Sequence, residues 1–364
     1  MVTVAIDEGP LHGRRTGIGN AVDWTIDALR RSERPLELLP YVTSMRAHVD
    51  APTRRLPIPA MLAHRWWARF SFPRADRWLG RPDLVHGTNY VVPPTSCPRI
   101  VSVYDCWFLD HPGDAAPDVR RAGEVLRRSV ADGAHVVTSS DATAERVRDL
   151  LDTERVETVH LGPPHPGPEV AQAPGRLRPI ENESFVLALG TVERRKNLPV
   201  LVAAFGRLAS ELDGVALVIA GAPGDGDAAI DAAVGRLPAA SSARITRLGR
   251  VDEAEKSWLL RSARVLAYPS LDEGFGFPLL EAQLAGTPIV ASSAGSIPEV
   301  AGRGALFSSP HDVDALAANL HWTLTSDRRA DSLIEQGRAN VERFSWDRTA
   351  ASLVDLYERV AATS

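Results

Sequence analysis

The chain has 364 residues, 44% hydrophobic and 24% charged, with a formal net charge of −5. That balance excludes a disordered or fibrous chain and a protein that coats nucleic acid, and the length suits two domains. Two cysteines, Cys97 and Cys106, are too few for a secreted disulfide scaffold.

In chain order, short apolar runs alternate with amphipathic stretches. Val2–Ile6 predicts a buried strand, followed by a loop and a helix from about Gly19 to Arg31. Strand-like runs follow at Leu36–Tyr41, Asp83–His86, Ile100–Tyr104, His135–Ser139 and Val156–Leu161, with helices over Val119–Val130 and Ala142–Leu151. Such alternation implies a mostly parallel sheet with helices on both faces. Between Pro163 and Pro179 lie six prolines and two glycines, which reads as a linker. The alternation resumes at Phe185–Leu189, Val215–Ala220, Ala243–Leu248, Val265–Tyr268, Ile289–Ala291 and Ala305–Phe307, and a last helix is predicted over Trp346–Val360. We therefore expect domains over 1–165 and 180–345, with the helix at about 346–364 returning to the first.

The start, MVTVAIDEG, has no basic or apolar leader pattern, and no apolar run reaches the ~20 residues of a spanning helix. The expectation is a cytoplasmic protein, or one peripheral to the cytoplasmic membrane. Residues 46–82 carry eight arginines against two acids, with Trp66, Trp67, Phe70, Phe72 and Trp78 interleaved. That pattern suits an anionic membrane surface, or equally a helix–loop region whose tryptophans pack inward.

Three segments carry chemistry. In Tyr268–Glu281 a strand end is followed by a glycine-punctuated loop, with Pro278 opening a helix and Gly286 closing it. Glu273 and Glu281 gather near one strand end, and the amides of Gly274, Phe275, Gly276 and Phe277 form an anion-binding nest. A phosphate seat flanked by carboxylates suits a sugar nucleotide. In Gly190–Pro199, Arg195 and Lys196 precede a helix whose dipole already favours an anion. Lysine occurs only at Lys196 and Lys256, every other Lys/Arg position being arginine. In the third segment, Gly17 and Gly19 follow strand one, where a backbone without side chains can approach a phosphate or sugar.

The two glutamates eight positions apart, the GTVERRKN segment and the GIGN loop together resemble the retaining GT-B glycosyltransferases of family 4, the glycogen-synthase-like and mannosyltransferase-like group. The stretches VSVYD (101–105), VVTSSDAT (136–143), LGRVDEAE (248–255) and FSWDRTA (344–350) extend the resemblance over most of the chain. It implies two Rossmann-like domains facing across a cleft, with the acceptor on the first and the donor nucleotide on the second. It implies that no metal is needed, and that a nucleotide diphosphate sugar is the co-substrate in place of a cofactor. By the resemblance, Lys196 holds the donor phosphates, Arg195 assists, and Glu273 contacts hydroxyls of the transferred sugar. Glu281 grips the ribose, Gly249–Val251 (with Arg250 and Val251) lies by the base, and Gly17 and Gly19 lie beneath the phosphates. Thr191 stands in the donor site where many relatives carry arginine, so Arg195 is inferred to carry that charge. Tyr104 and Asp105, on the acceptor and sugar side, stand where relatives commonly show His-Asp, and tyrosine is no cation near neutral pH.

The reading that follows is a retaining, metal-independent hexosyltransferase. Its donor is GDP-mannose first, then a UDP-sugar, and its acceptor a carbohydrate, a lipid-linked molecule or a small molecule. Two other readings stay open, a silent nucleotide- or glycan-binding protein and a sugar-nucleotide epimerase. A nicotinamide oxidoreductase would need a full G-x-G-x-x-G with a later acid, which is missing. Asp225-Gly226-Asp227 imitates an Asp-x-Asp metal signature but has the composition of a turn. His86, His111 and His135 are scattered without paired ligand spacing, so no metal site is expected.

Overall fold

The computed structural model describes residues 1–12, 16–45, 47 and 49–362. The chain divides into two compact units, one of residues 1–162 with 344–364 and one of residues 163–343.

The first unit is built on β1 (Val2–Asp7), β2 (Leu36–Thr43), β3 (Arg54–Leu56), β4 (Leu84–Gly87), β5 (Arg99–Val103), β6 (His135–Thr138) and β7 (Val156–Thr158). They form one parallel sheet in the order β3-β2-β1-β4-β5-β6-β7, with Val4 of β1 paired to Leu38 on one side and Leu84 on the other. The helix after β1 starts two residues earlier than expected, at Gly17, because the Thr16 side chain caps it by accepting from the Gly19 amide at 3.3 Å. Gly17 and Gly19 therefore lie in its first turn and not in a loop. β5 ends at Val103, so Tyr104 is the first residue beyond it. β7 stops at Thr158, short of the expected Leu161, and the His160 carbonyl instead accepts from the Thr349 hydroxyl at 2.8 Å.

That bond belongs to the helix Trp346–Ala361, which packs on the helix Gly17–Arg31 and buries Leu353, Val354, Leu356, Tyr357 and Val360. Trp346 meets Trp24 edge-on at 5.7 Å, and a side chain on Gly162 would strike its ring. The segment after β2 holds three elements that its composition hides, β3, the helix Ala60–Trp67 and the short helix Asp76–Leu79. Arg46, the first arginine of that basic stretch, lies outside the described residues.

The second unit is built on β8 (Ser184–Leu189), β9 (Val215–Ala220), β10 (Ile245–Gly249), β11 (Val265–Tyr268), β12 (Ile289–Ser292) and β13 (Ala305–Ser308). All adjacent pairs are parallel, in the order β10-β9-β8-β11-β12-β13. β8, β9, β11 and β12 are almost wholly buried, which is why they read as continuous apolar runs. β10 begins two residues late because Arg244 turns its guanidinium onto the carbonyls of Ala209, Leu212 and Val215 at 2.7–3.0 Å. The proline-rich stretch is more than a linker. Residues Gly175–Ile180 form a tight helical turn of this unit, burying Leu177 and Ile180.

Strand order reverses between β8 and β11. In an open α/β sheet that switch point, beyond the carboxyl ends of the two strands, is where a ligand crevice forms.

Candidate functional site

Both principal motifs leave the sheet at this switch point, Gly190–Asn197 from β8 and Ser270–Gly276 from β11. They are tied together directly. The Leu271 amide donates to the Arg195 carbonyl at 2.8 Å, and Asn197 Nδ2 donates to the carbonyls of Pro269 and Pro310 at 3.1 and 2.7 Å. Asn197 turns the chain there at φ 54, and the helix Leu198–Glu211 starts immediately after it with Pro199 in its first turn.

The side chains converge on Glu273. Lys196 Nζ lies 2.6 Å from Glu273 Oε1, and an Arg195 guanidinium nitrogen lies 2.6 Å from Oε2. The same Arg195 nitrogen donates to the Asp272 carbonyl at 3.0 Å, and Arg195 also meets the more exposed Glu193 at 3.1 Å. Lys196 donates to the Tyr268 hydroxyl at 2.9 Å and sits 4.7 Å from that ring's centre. Burial pushes the Glu273 carboxyl up, but the charges of Lys196 and Arg195 outweigh it and hold it down to about 2. The cluster is thus a buried carboxylate gripped by two cations, all three at one strand junction.

The loop that presents Glu273 is held from beneath. Gly274, Phe275 and Gly276 are buried, and Gly276 takes φ +90 to start the helix Phe277–Ala285. Ser296 supports the loop, its amide donating to the Glu273 carbonyl at 3.2 Å and its hydroxyl to that of Phe275 at 3.3 Å. Ser292 donates to the Ser270 carbonyl at 2.5 Å. Gly295 approaches so closely that an added Cβ would lie 2.5 Å from Asp272 Oδ1 and 2.8 Å from the Glu273 amide.

Glu281 sits in the second turn of the helix Phe277–Ala285, paired to Lys256 at 2.8 Å. Lys256 also meets Glu253 at 2.8 Å. Each of the two lysines of the chain therefore pairs with one of the two motif glutamates. Arg250 is exposed and Val251 half-buried beyond β10. Arg176 braces that loop, gripping Glu255 at 2.5 and 2.7 Å, donating to the Leu248 carbonyl at 3.0 Å and also to that of Arg250. Thr191 is exposed just beyond β8. Asp225 accepts from the Arg194 amide, and Asp227 accepts from the Gly224 amide and pairs with Arg247, so both carboxylates of the Asp-x-Asp imitation are held by protein donors.

The remaining predicted residues lie in the first unit. Gly19 is packed, an added Cβ there lying 3.1 Å from the Pro10 carbonyl oxygen, whereas Gly17 is exposed with nothing within 4 Å of that position. Asp105 accepts from the Trp107 amide at 3.3 Å. Tyr104 lines a small cavity of about 30 Å³ with Thr25, His86, Thr88, Ser102 and Thr138, and burial pushes its phenol up. His86 bridges Ser102 Oγ at 2.9 Å and Tyr357 Oη at 2.7 Å, and burial lowers it to about 3, so it is a neutral strut to the last helix.

Lys256, Arg176, Ser292, Gly295 and Ser296 were not assigned from the sequence, and neither was Asp7 at the end of β1. Burial raises the Asp7 carboxyl to about 7, against a hydrogen bond from the Gly9 amide and with a smaller push from Glu8. A carboxyl raised in the folded state takes up protons on folding, so its contribution weakens as pH rises from about 4 through 7. Asp7→Asn is expected to flatten the fall in stability over that range, measured by urea midpoints at pH 5 and pH 8. An unchanged pH dependence would remove this assignment.

Residues 172–340 match the family Glycosyl transferases group 1. The matched segment is a little under half of the chain. It contains both lysines, both motif glutamates and Arg176. The chain is 28% identical over 306 residues to O-antigen chain mannosyltransferase B of Escherichia coli, covering 80% of this chain and 78% of that protein. It is 47% identical over 121 residues to the MMP alpha-(1->4)-mannosyltransferase of Mycolicibacterium hassiacum, covering 32% of this chain but only 29% of that protein. The solved structure of HepE from Anabaena, in complex with UDP and glucose, matches with a TM-score of 0.70 at 15% identity, over 99% of this chain and 100% of that one. The fold is thus GT-B, with two Rossmann-like units of parallel sheet.

Proposed function

We propose that this protein is a retaining glycosyltransferase that moves a hexose from a nucleotide diphosphate sugar to a hydroxyl of a carbohydrate, lipid-linked or small-molecule acceptor. The observation that carries the reading is the cluster of Lys196 and Arg195 on Glu273, set at the β8/β11 switch point beside the start of the helix Phe277–Ala285. In the proposed reaction the bond between the anomeric carbon and the phosphate oxygen breaks. The acceptor oxygen bonds to the same face of that carbon, and its proton passes to the departing phosphate. Lys196 and Arg195 neutralise the charge that grows on the leaving diphosphate, a preorganised electrostatic role that takes the place of a divalent ion. Glu273, ionised across the physiological range, accepts from hydroxyls of the sugar. Glu281 accepts from the ribose, with Lys256 as the positioning residue that aims its carboxylate, and Arg176 holds the Gly249–Val251 loop against the base.

The mannosyltransferase relatives favour mannose as the transferred sugar, for which our first donor is GDP-mannose, and the UDP in the HepE complex keeps a UDP-sugar second. The test is thermal stability against GDP, UDP, ADP, dTDP and NAD without added metal. A ligand at 100 times its Kd stabilises by about 2.7 kcal/mol, a shift of several degrees. A shift with GDP, together with transfer from GDP-mannose, is expected. A shift with NAD alone overturns the reading, and nucleotide binding without transfer from any sugar donor turns it to the silent binding protein. Glu281→Ala should weaken nucleoside diphosphate binding by about 1–3 kcal/mol, the worth of hydrogen bonds to a charged group. Unchanged affinity in titration calorimetry would remove the ribose role.

A further inference from the structure

The helix Ala60–Trp67 has two apolar faces. Ala63 and Trp67 point inward at 1% and 2% exposure, which satisfies the core. The other face, with Met61, Leu62, Arg65 and Trp66, is in solvent, and the chain beyond it presents Arg69, Phe70 and Phe72. Met61 is 63% exposed, Leu62 48%, Trp66 52%, Phe70 62% and Phe72 65%. Half of the large hydrophobic side chains exposed among the described residues fall in these twelve positions. A single exposed leucine needs no explanation, but a contiguous patch with two phenylalanines and a tryptophan marks an interaction surface.

Charge identifies what covers it. Residues 60–74 contain Arg65, Arg69 and Arg74, all exposed, and no acid. The nearest acid along the chain, Asp76, is engaged by the Ser96 amide at 2.7 Å and the Ser96 hydroxyl at 2.5 Å. Across the fold, Asp132 accepts from the Ser71 hydroxyl but is paired with Arg128 at 3.2 Å, and Asp118 faces His64 beside Arg121, so neither leaves an uncompensated negative charge on this face. A second copy of this chain would set the same arginines against one another across a two-fold axis, which like charges oppose. An anionic bilayer answers both halves of the pattern. Its headgroup boundary takes tryptophan, phenylalanine, leucine and methionine, and its phosphates take arginine. Among the described residues no helix is long and apolar enough to cross a membrane, so the contact is with the surface.

We propose that this face seats the first unit on an anionic phospholipid surface, with Met61, Leu62, Trp66, Phe70 and Phe72 in the headgroup–acyl boundary and Arg65, Arg69 and Arg74 on lipid phosphates. The inference stands apart from the donor chemistry. Under the transferase reading, a lipid-borne acceptor is met on the same surface.

Flotation of the full chain with vesicles tests it, using phosphatidylcholine alone and a 3:1 mixture of phosphatidylcholine with phosphatidylglycerol. Binding to the mixture is expected to exceed binding to pure phosphatidylcholine at least tenfold at low salt and to weaken as salt rises. The triple variant Trp66→Ser, Phe70→Ser, Phe72→Ser and the triple variant Arg65→Gln, Arg69→Gln, Arg74→Gln should each lose at least tenfold of that binding. Both should keep the nucleotide-induced thermal shift of the wild type, which reports folding and the donor site separately. Wild-type protein that stays off the anionic vesicles sinks the proposal, as does an apolar triple variant that binds like wild type. A wild-type dimer in light scattering that becomes monomeric in the apolar variant would make the patch a protein interface and overturn it equally.

Discussion

Lys196→Ala is expected to slow turnover about 10²–10³-fold at saturating donor, the usual loss when one preorganised charge facing a developing anion is removed. The basis is geometric. Lys196 is only 12% exposed, and its ammonium is aimed by Glu273 at 2.6 Å and the Tyr268 hydroxyl at 2.9 Å. Such an ammonium needs little reorganisation when a diphosphate arrives, so its effect falls mainly on kcat. The same change leaves Glu273 buried with Arg195 as its remaining close cation. Removing one partner of a buried pair costs roughly 3–5 kcal/mol when nothing else compensates, and Arg195 keeps the loss below that range. Stability and catalysis are read separately on the single variant. Urea unfolding should show a loss smaller than that range, while donor-saturation kinetics show the full fall in kcat. Wild-type kcat in Lys196→Ala would refute the leaving-group role.

The parts of the molecule legible from sequence are those whose signal is local. β8, β9, β11 and β12 are buried on both faces and therefore read as unbroken apolar runs. β3 did not, because it is a three-residue edge strand with Arg54 and Arg55 pointing into solvent. Glu273, Lys196 and Arg195 stood out because each sits in a glycine- and proline-punctuated turn of recognisable spacing. Their partners did not. Lys256 reaches Glu281 across 25 positions and Arg176 reaches Glu255 across 79, and no spacing rule joins residues that far apart. Arg176 was further hidden in a proline-rich stretch that reads as a linker. Ser292, Gly295 and Ser296 look like any small-residue loop until their hydroxyls, amides and missing side chains are seen to shape the peptide of Glu273. Asp7 looks like the polar end of a strand, and only its cover by neighbouring groups raises its carboxyl.

Glu273→Gln is expected to change two measurements that a merely structural glutamate would not change together. The first is acid stability. In the folded protein the carboxyl is held at about 2, against an ordinary 4.5. A depressed carboxyl contributes fully above its unfolded value, and that contribution is lost as pH falls from about 4.5 toward 2. The size is roughly 3 kcal/mol at neutral pH, from 1.36 kcal/mol per pKa unit. Wild-type protein should therefore lose stability steeply over that window. Glu273→Gln should start lower at pH 7, with two buried cations no longer balanced, and lose much less on acidification. The second measurement is transfer. Glutamine can still accept a hydrogen bond but cannot offer a charge-assisted one, so kcat/KM should fall about 10–100-fold. Because Glu273 also aims Lys196, part of that fall should appear in kcat, whereas a role confined to donor binding would appear in KM alone. Urea midpoints at pH 7 and pH 3, beside donor-saturation kinetics at pH 7, distinguish these outcomes. A variant with the wild-type acid slope would show that Lys196 and Arg195 do not depress this carboxyl, and one with wild-type kcat/KM would remove Glu273 from the reaction.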